Sequence, residues 1–224
     1  MSDTADLLRA IASLLWVAIG IAVVLLLAKV LVARSGQLKT LGVGPTGLTM
    51  EFVEAKVDQA IRAEVQPSGE RVGQAAKRSV VDRLQRNADL LADARILWVD
   101  DHPENNTPVI DLLRRFGSVV ETPRSNSEAL ALLAGARYDV IISDVSRDDE
   151  GSNSELMGVE LASEVFARWS QQIILFTARF NPATLPGKSE GERLTMVREL
   201  ERTVFGRTNR MDVALHLIMD ILER

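Results

Sequence analysis

The sequence has no cysteine, only two histidines and few aromatic residues. Without cysteine, a disulfide scaffold, an iron–sulfur cluster, a cysteine-ligated zinc site and a cysteine nucleophile are excluded. His102 and His216 are too few for a multi-histidine metal site. An aromatic content of 4% and a net charge of -5 argue against a nucleic-acid binder. The 224 residues therefore indicate a protein of a reducing compartment, with one ordinary domain and an appendage.

The appendage is expected to be a membrane anchor at residues 1–34. Ile11–Ala28 carries no charge, and Val30–Ala33 extends the apolar run beyond Lys29. A spanning helix needs about 20 apolar residues, and a lysine near its end can reach the membrane surface. Three basic residues follow the run and one precedes it: Lys29, Arg34, Lys39 and Arg9. This bias predicts a single-pass inner-membrane protein whose carboxyl-terminal domain is cytoplasmic. A cleaved signal peptide and a buried core helix are the alternatives.

Residues 35–94 are expected to form a connector. Short extended runs at Leu38–Leu41 and Leu48–Phe52, among glycines and a proline, predict a small hairpin. A four-residue apolar spacing from Glu51 to Val65 predicts a helix, and a second apolar stripe from Val72 to Leu91 predicts another. These stripes either pack on the domain that follows or form a coiled coil, which would make a homodimer.

Strand and helix patterns alternate over residues 95–224. Strands are predicted at Arg95–Val99, Ser118–Glu121, Tyr138–Ser143, Ile173–Phe176 and Val204–Phe205. Helices are predicted at Thr107–Phe116, Ser127–Ala134, Leu156–Trp169 and Met211–Leu222. This alternation predicts an α/β fold with a doubly wound, parallel, five-stranded sheet. Ligands of such sheets bind beyond the carboxyl ends of the strands.

Polar residues stand at three of these strand ends. Asp100 and Asp101 follow the first strand, Asp144 follows the third, and Thr177 follows the fourth. Neighbouring carboxylates stay ionised only if a cation neutralises them, and an all-oxygen set suits Mg²⁺. One carboxylate can then act as a nucleophile toward phosphorus. The alternative is structural, with the aspartates capping a helix and starting a turn.

The motifs ILWVDD, IISDV and ILFTA, in this order, resemble the receiver domains of bacterial two-component response regulators. The resemblance covers about 130 residues, from Arg95 onward. It implies that Asp101 binds Mg²⁺ directly, that Asp100 assists through water, and that Asp144 accepts the phosphoryl group. The backbone carbonyl of Ser146 would complete the metal ligands, and Thr177 would bond the phosphoryl oxygen. In LMGVELA, Gly158 matches the glycine that opens the family's third helix.

Three features depart from the family pattern. The loop VSRDDEGSNSELMG after Asp144 is long and acidic, and the segment from Arg179 to Glu201 replaces the customary fourth helix. The family's lysine after the last strand, which pairs with the phosphoryl group, is missing, and the alignment puts Arg207 in its place. The resemblance thus implies that Arg207 senses the phosphoryl group together with Thr177. An arginine keeps the charge, but its planar fork differs from an ammonium group.

The resemblance and the expected anchor together imply a membrane-tethered receiver rather than a turnover enzyme. A sensor histidine kinase or a phosphotransfer protein would phosphorylate Asp144, and an unknown downstream protein would read the result. The alternative is a pseudo-receiver that binds a protein partner without phosphorylation. A phosphatase is a third hypothesis, but the aspartyl phosphatases carry a second acid where Ser146 stands. No hypothesis involves nucleic acid.

Overall fold

The computed structural model describes residues 49–63, 72–149, 152–154, 156–177, 180–184 and 187–224. All of them belong to one compact unit. The expected anchor at residues 1–34 and the extended run Leu38–Leu41 lie outside the described residues. Within those described ranges, no helix combines the length and apolar character needed to cross a membrane.

A five-stranded parallel sheet forms the centre of the unit. Its strands are β1 (Arg95–Val99), β2 (Val119–Glu121), β3 (Val140–Asp144), β6 (Ile173–Phe176) and β7 (Val204–Thr208). Their order is β2-β1-β3-β6-β7, and every neighbouring pair is parallel. This is the flavodoxin-like order of doubly wound sheets, so the predicted fold class is confirmed for the described residues. The remaining strands, β4 (Arg147–Asp149) and β5 (Ser152–Ser154), form an antiparallel hairpin after β3.

Helices cover both faces of the sheet. They are α1 (Met50–Ala63), α2 (Gln74–Arg86), α3 (Ala88–Leu91), α4 (Thr107–Arg115), α5 (Asn126–Gly135), α6 (Met157–Trp169), α7 (Glu190–Thr203) and α8 (Met211–Leu222). On one face, Ile96, Trp98 and Ile142 pack with α1, α2, α4 and α8. On the other, Leu97, Val99 and Ile141 pack with α5, α6 and α7. Because both faces are buried, the central strands are nearly continuous apolar runs.

The helices of the expected connector contribute to the core of the sheet domain. Val53, Val57, Val80, Val81 and Leu84 are buried in the same cluster as the first face of the sheet. The apolar stripes therefore pack on the chain's own domain, which was the first of the two alternatives. The extended conformation expected for Leu48–Phe52 is wrong from Met50 onward, because the four-residue spacing of Val53 and Val57 belongs to a helix that begins at Met50. The Thr49 hydroxyl accepts a hydrogen bond from the Phe52 N–H at 3.3 Å.

A polar network fixes α2 to the carboxyl-terminal helix. The Arg83 guanidinium donates to Asp220 at 2.6 Å and to Glu223 at 2.8 Å. It also donates to the backbone carbonyl of His216 at 3.2 Å, and the Asn87 amide donates to Glu223 at 2.7 Å. The Arg83 Nε also donates to the second Glu223 oxygen at 3.1 Å, and this bidentate contact adds geometric specificity to the apolar packing beneath it.

A regular helix, α7, begins at Glu190 within the segment from Arg179 to Glu201 and continues to Thr203. Ser189 and Glu192 form a capping box, in which the Ser189 hydroxyl accepts from the Glu192 N–H at 3.4 Å and Glu192 accepts from the Ser189 N–H at 2.8 Å. These two bonds satisfy backbone donors that a helix start leaves open. The expectation that this segment replaces the customary fourth helix is therefore wrong, because a helix with a regular cap lies between β6 and β7.

Candidate functional site

The site lies at the switch point of the sheet, where the strand order reverses between β1 and β3. Asp100 and Asp101 directly follow β1, and Asp144 ends β3. One carboxylate oxygen from each of the three residues lies within 4.8 Å of the other two. Crevices beyond the carboxyl ends of parallel strands at a switch point are the usual ligand sites of this architecture.

Asp100 is held in a fixed orientation. It is only 6% exposed, and one carboxylate oxygen accepts from the His102 N–H at 2.7 Å while the other accepts from the Asn106 amide at 2.6 Å. Its own N–H donates to the Pro123 carbonyl at 3.1 Å. Asn106 belongs to a short 3-10 helix, Pro103–Asn106, and is itself buried. The sequence does not mark Asn106, because an asparagine in a polar loop is ordinarily solvated.

The cluster concentrates negative charge. Burial and the nearby Asp100 carboxylate raise the pKa of Asp144 to about 6, although N–H donors of Ser146 and Val145 oppose this rise. Burial and the charge of Asp101 likewise raise the pKa of Asp100, against the opposing effect of the His102 N–H. Raised carboxylate pKa values in a crevice are typical of functional sites, and a bound cation would offset the repulsion between these carboxylates.

An all-oxygen set of this kind fits a hard divalent cation. Carboxylates and backbone carbonyls are the ligands that Mg²⁺ takes, and the described residues of this cluster include neither a thiolate nor an imidazole ligand.

His102 lies at the rim of the site, with its Nδ1 3.1 Å from a Glu104 oxygen and its Nε2 3.8 Å from Asp101. These neighbours, Glu104 first and Asp101 second, raise the pKa of His102.

The backbone after Asp144 is held close to α6. The Ser146 N–H donates to an Asp144 carboxylate oxygen at 3.4 Å, and the Gly158 N–H donates to the Val145 carbonyl at 3.1 Å. A Cβ atom at Gly158 would stand 2.4 Å from the Asp144 carbonyl oxygen and 2.9 Å from the Val145 Cα. Only glycine fits this approach, which gives a steric reason for the Gly158 match.

Thr177 lies one residue beyond the strand position level with Asp144. Phe176 pairs with Asp144 in the register of β3 and β6. The Thr177 N–H donates to the Thr208 carbonyl at 2.9 Å, which ties the residue to the end of β7. The structure therefore places Thr177 at the same edge of the sheet as the three carboxylates.

Arg207 lies apart from the three carboxylates. It pairs with Leu175 in β6, two residues before Thr177, and its side chain is exposed. It lines a groove of about 220 Å³ between β7 and α7, with Val197, Leu200 and Glu201 among the other lining residues. This groove is smaller than most ligand pockets. The structure thus places Arg207 in this groove and not among the carboxylates.

Arg147 is the charged residue that sequence reasoning missed. It is 2% exposed and lies three residues after Asp144, at the start of β4. Its guanidinium donates to the Ser143 hydroxyl at 2.6 Å and to the Asp144 carbonyl at 3.1 Å. The only signal in the sequence is a single basic residue in an acidic loop, which ordinarily indicates solvent exposure.

No protein-family model matches the sequence, and no curated protein matches it. Solved structures do resemble it. A two-component response regulator from Clostridium difficile is 15% identical, with a TM-score of 0.46 over 59% of this chain and 98% of that chain. The signal receiver domain of an HD-domain protein from Pseudomonas fluorescens is 18% identical, with a TM-score of 0.43 over 58% of this chain and 90% of that chain.

A response regulator from Thermotoga maritima, solved in complex with Mg²⁺ and BeF, is 20% identical. Its TM-score is 0.42, over 57% of this chain and 98% of that chain. Since all three TM-scores are below 0.5, the functional proposal depends on the strand order and the side chains of this chain.

Proposed function

We propose that the chain is a signalling receiver that accepts a phosphoryl group on Asp144 in the presence of Mg²⁺. The observation that supports this function is the convergence of Asp100, Asp101 and Asp144 at the switch point of a flavodoxin-like sheet. Fold alone does not establish function, so the proposal depends on this group of carboxylates.

Asp101 and Asp144, with the backbone carbonyl of Ser146, are the proposed ligands of Mg²⁺, and Asp100 assists through water. Bound Mg²⁺ would offset negative charge on the transferring phosphoryl oxygens. The fixed orientation of Asp100, through His102 and Asn106, prepares the site before any ligand binds. Preorganised ligands of this kind lower the cost of binding.

Asp144 is the proposed nucleophile. With a pKa of about 6 it is largely ionised at neutral pH, yet it is more basic than an ordinary aspartate. One carboxylate oxygen forms a bond to phosphorus as the P–N bond to the donor's histidine breaks, and the released imidazole takes up a proton. The Thr177 hydroxyl would donate a hydrogen bond to a phosphoryl oxygen. A sensor histidine kinase or a phosphotransfer protein is the proposed donor.

The signal would pass to a downstream protein through the β7 and α8 face, beside the groove that Arg207 lines. We also propose the membrane tether at residues 11–33, with the receiver on the cytoplasmic side, from the apolar run and its basic flank. A cysteine introduced at position 3 should react with an impermeant thiol reagent on intact cells, whereas one at position 190 should not. The reverse pattern would contradict this topology.

Phosphorylation is tested on the purified full chain in mild detergent, with a small phosphodonor and Mg²⁺. We expect one phosphoryl group per chain, which borohydride reduction reveals as one homoserine at position 144 with release of phosphate, and no incorporation without Mg²⁺. Asp144→Asn should prevent labelling because an amide is a far weaker nucleophile, while Asp82→Asn on α2 should label normally. Labelling that persists in Asp144→Asn would contradict the assignment of the nucleophile.

A second function, a scaffold that binds a partner without phosphorylation, is favoured by the position of Arg207. The resemblance implies that the Arg207 guanidinium pairs with the phosphoryl group, but Arg207 lines a groove beside α7. Binding of Mg²⁺ without uptake of a phosphoryl group or of beryllofluoride would support the scaffold over the receiver.

A further inference from the structure

Arg147 is a charged side chain buried beneath the carboxylates. At 2% exposure its guanidinium has lost almost all contact with water, which costs several kcal/mol unless hydrogen bonds replace the lost hydration. An arginine stays protonated in any protein environment, so the positive charge is permanent. A buried permanent charge requires a structural or functional reason.

Its hydrogen bonds join the elements that build the site. Besides Ser143 and the Asp144 carbonyl in β3, the guanidinium donates to the Val99 carbonyl at the end of β1, at 3.3 Å. It also donates to the side-chain oxygen of Asn126, the first residue of α5. The Asn126 amide in turn donates to the Met157 carbonyl at the start of α6, at 3.0 Å. Arg147 is therefore oriented toward strand ends and helix starts.

The same guanidinium affects the carboxylates electrostatically. Its positive charge acts to lower the pKa values of both Asp100 and Asp144, against the larger effect of burial. Three carboxylates and one guanidinium give the site a formal charge of -2, which one divalent cation neutralises. Without Arg147 the site would carry -3.

We propose that Arg147 is a positioning residue that sets the charge balance of the site, favouring the phosphoryl anion and opposing the divalent cation. The inference rests on the proposed function, because it assigns both ligands to the same carboxylates. It gives Arg147 an electrostatic role like the one that the resemblance gives to a lysine after the last strand, but from beneath the carboxylates.

The test measures two affinities in the full chain in mild detergent. Mg²⁺ binding is followed by the fluorescence of Trp98, which lies in β1 two residues before Asp100, and beryllofluoride binding is followed at saturating Mg²⁺. Arg147→Gln removes the charge but keeps an N–H donor, whereas Arg147→Lys keeps the charge but loses the planar fork. We expect Arg147→Gln to bind Mg²⁺ about tenfold more tightly and beryllofluoride about tenfold more weakly, each about 1.4 kcal/mol. Arg147→Lys keeps the positive charge and should therefore stay within about threefold of wild type for both ligands.

Opposite shifts in the Mg²⁺ and beryllofluoride affinities distinguish an effect of charge from damage to the local fold, because such damage would weaken the binding of both ligands. Arg124→Gln is the matched control, since Arg124 is exposed near the same edge, 3.6 Å from Glu104, and solvent screens its charge. It should change both affinities by less than about threefold.

Equal losses in Arg147→Gln and Arg147→Lys, or no change in Arg147→Gln, would overturn the inference while the proposed function stands. If thermal melting shows that Arg147→Gln is unfolded, a folded Arg147→Lys that loses both ligands would overturn the inference in the same way. A wild-type chain that binds neither ligand would overturn both the proposed function and this inference.

Discussion

The carboxyl group of Asp144 should make the protein less stable as pH rises through the range from about 4 to about 6. In the folded chain its pKa is about 6, against 3.8 for an ordinary aspartate. Between these values the folded state binds more protons than the unfolded state, so the free energy of unfolding falls with rising pH. Above both values the loss is complete, and a pKa difference of about 2 between the folded and unfolded states corresponds to about 3 kcal/mol.

Asp144→Asn removes this penalty because the amide stays neutral at every pH. Without Mg²⁺, the variant should match the wild type near pH 3.5 and should be more stable by up to about 3 kcal/mol at pH 8. For a unit of this size, that gain raises the melting temperature by about 6–12 °C. Part of the gain reflects the lost repulsion between the Asp144 and Asp100 carboxylates, which contributes to the raised pKa of Asp144.

The assay is thermal melting at a series of pH values in the presence of a chelator, with the full chain in mild detergent. Asp82→Asn, an exposed carboxylate on α2, is the control and should stay within about 0.5 kcal/mol of wild type throughout. Mg²⁺ at about one hundred times its Kd should restore about 2.7 kcal/mol to the wild type at pH 8 and little to Asp144→Asn. A stability difference that does not vary with pH, or a variant less stable than wild type at pH 8, would refute this reasoning.

Three further predictions concern the site and the core. Gly158→Ala should destabilise the protein by about 1–3 kcal/mol, because its Cβ meets the Asp144 carbonyl at 2.4 Å, whereas Gly135→Ala, with no atom within 4 Å, should be neutral or slightly stabilising in the same melts. Leu84→Ala should cost about 2–5 kcal/mol in chemical denaturation, because Leu84 is 1% exposed, while Leu194→Ala at 54% exposure should cost less than about 0.5 kcal/mol; equal costs would place α2 outside the core. Asp101→Ala should abolish the response of Trp98 fluorescence to Mg²⁺, since it removes a proposed direct ligand, and an unchanged Mg²⁺ affinity would mean that the carboxylates are structural.

The sheet was predictable because its strands are buried on both faces. Runs such as Arg95–Val99 and Ile173–Phe176 combine apolar residues with abrupt polar ends, and their bounds agree with the sequence patterns. The last strand was expected to end at Phe205 but continues to Thr208, since Gly206, Arg207 and Thr208 carry no apolar signal and are held by pairing with β6. Local sequence patterns predict a strand well only where most of its residues are apolar because they are buried.

The positions of individual polar residues depend on contacts that are distant in sequence. Asp100 and Asp144 lie close together because the carboxyl ends of parallel strands share one edge of the sheet, so their proximity was predictable. The burial of Arg147 was not, because it depends on acceptors from Val99, Ser143 and Asn126. The packing of α1 and α2 on the domain was likewise one of two alternatives, since an apolar helix face shows that a partner exists but not which one.

The helix pair α1 and α2 determines where this domain can be cut and exchanged. A chimera that joins residues 95–224 to another protein would remove Val53, Val57, Val80 and Leu84, and would bare the apolar surfaces of α4 and α8 on which that pair packs. Contiguous apolar patches of this kind promote self-association. It would also leave Asp220 and Glu223 without the guanidinium of Arg83. Any chimeric protein built from this domain therefore has to include the chain from before Met50.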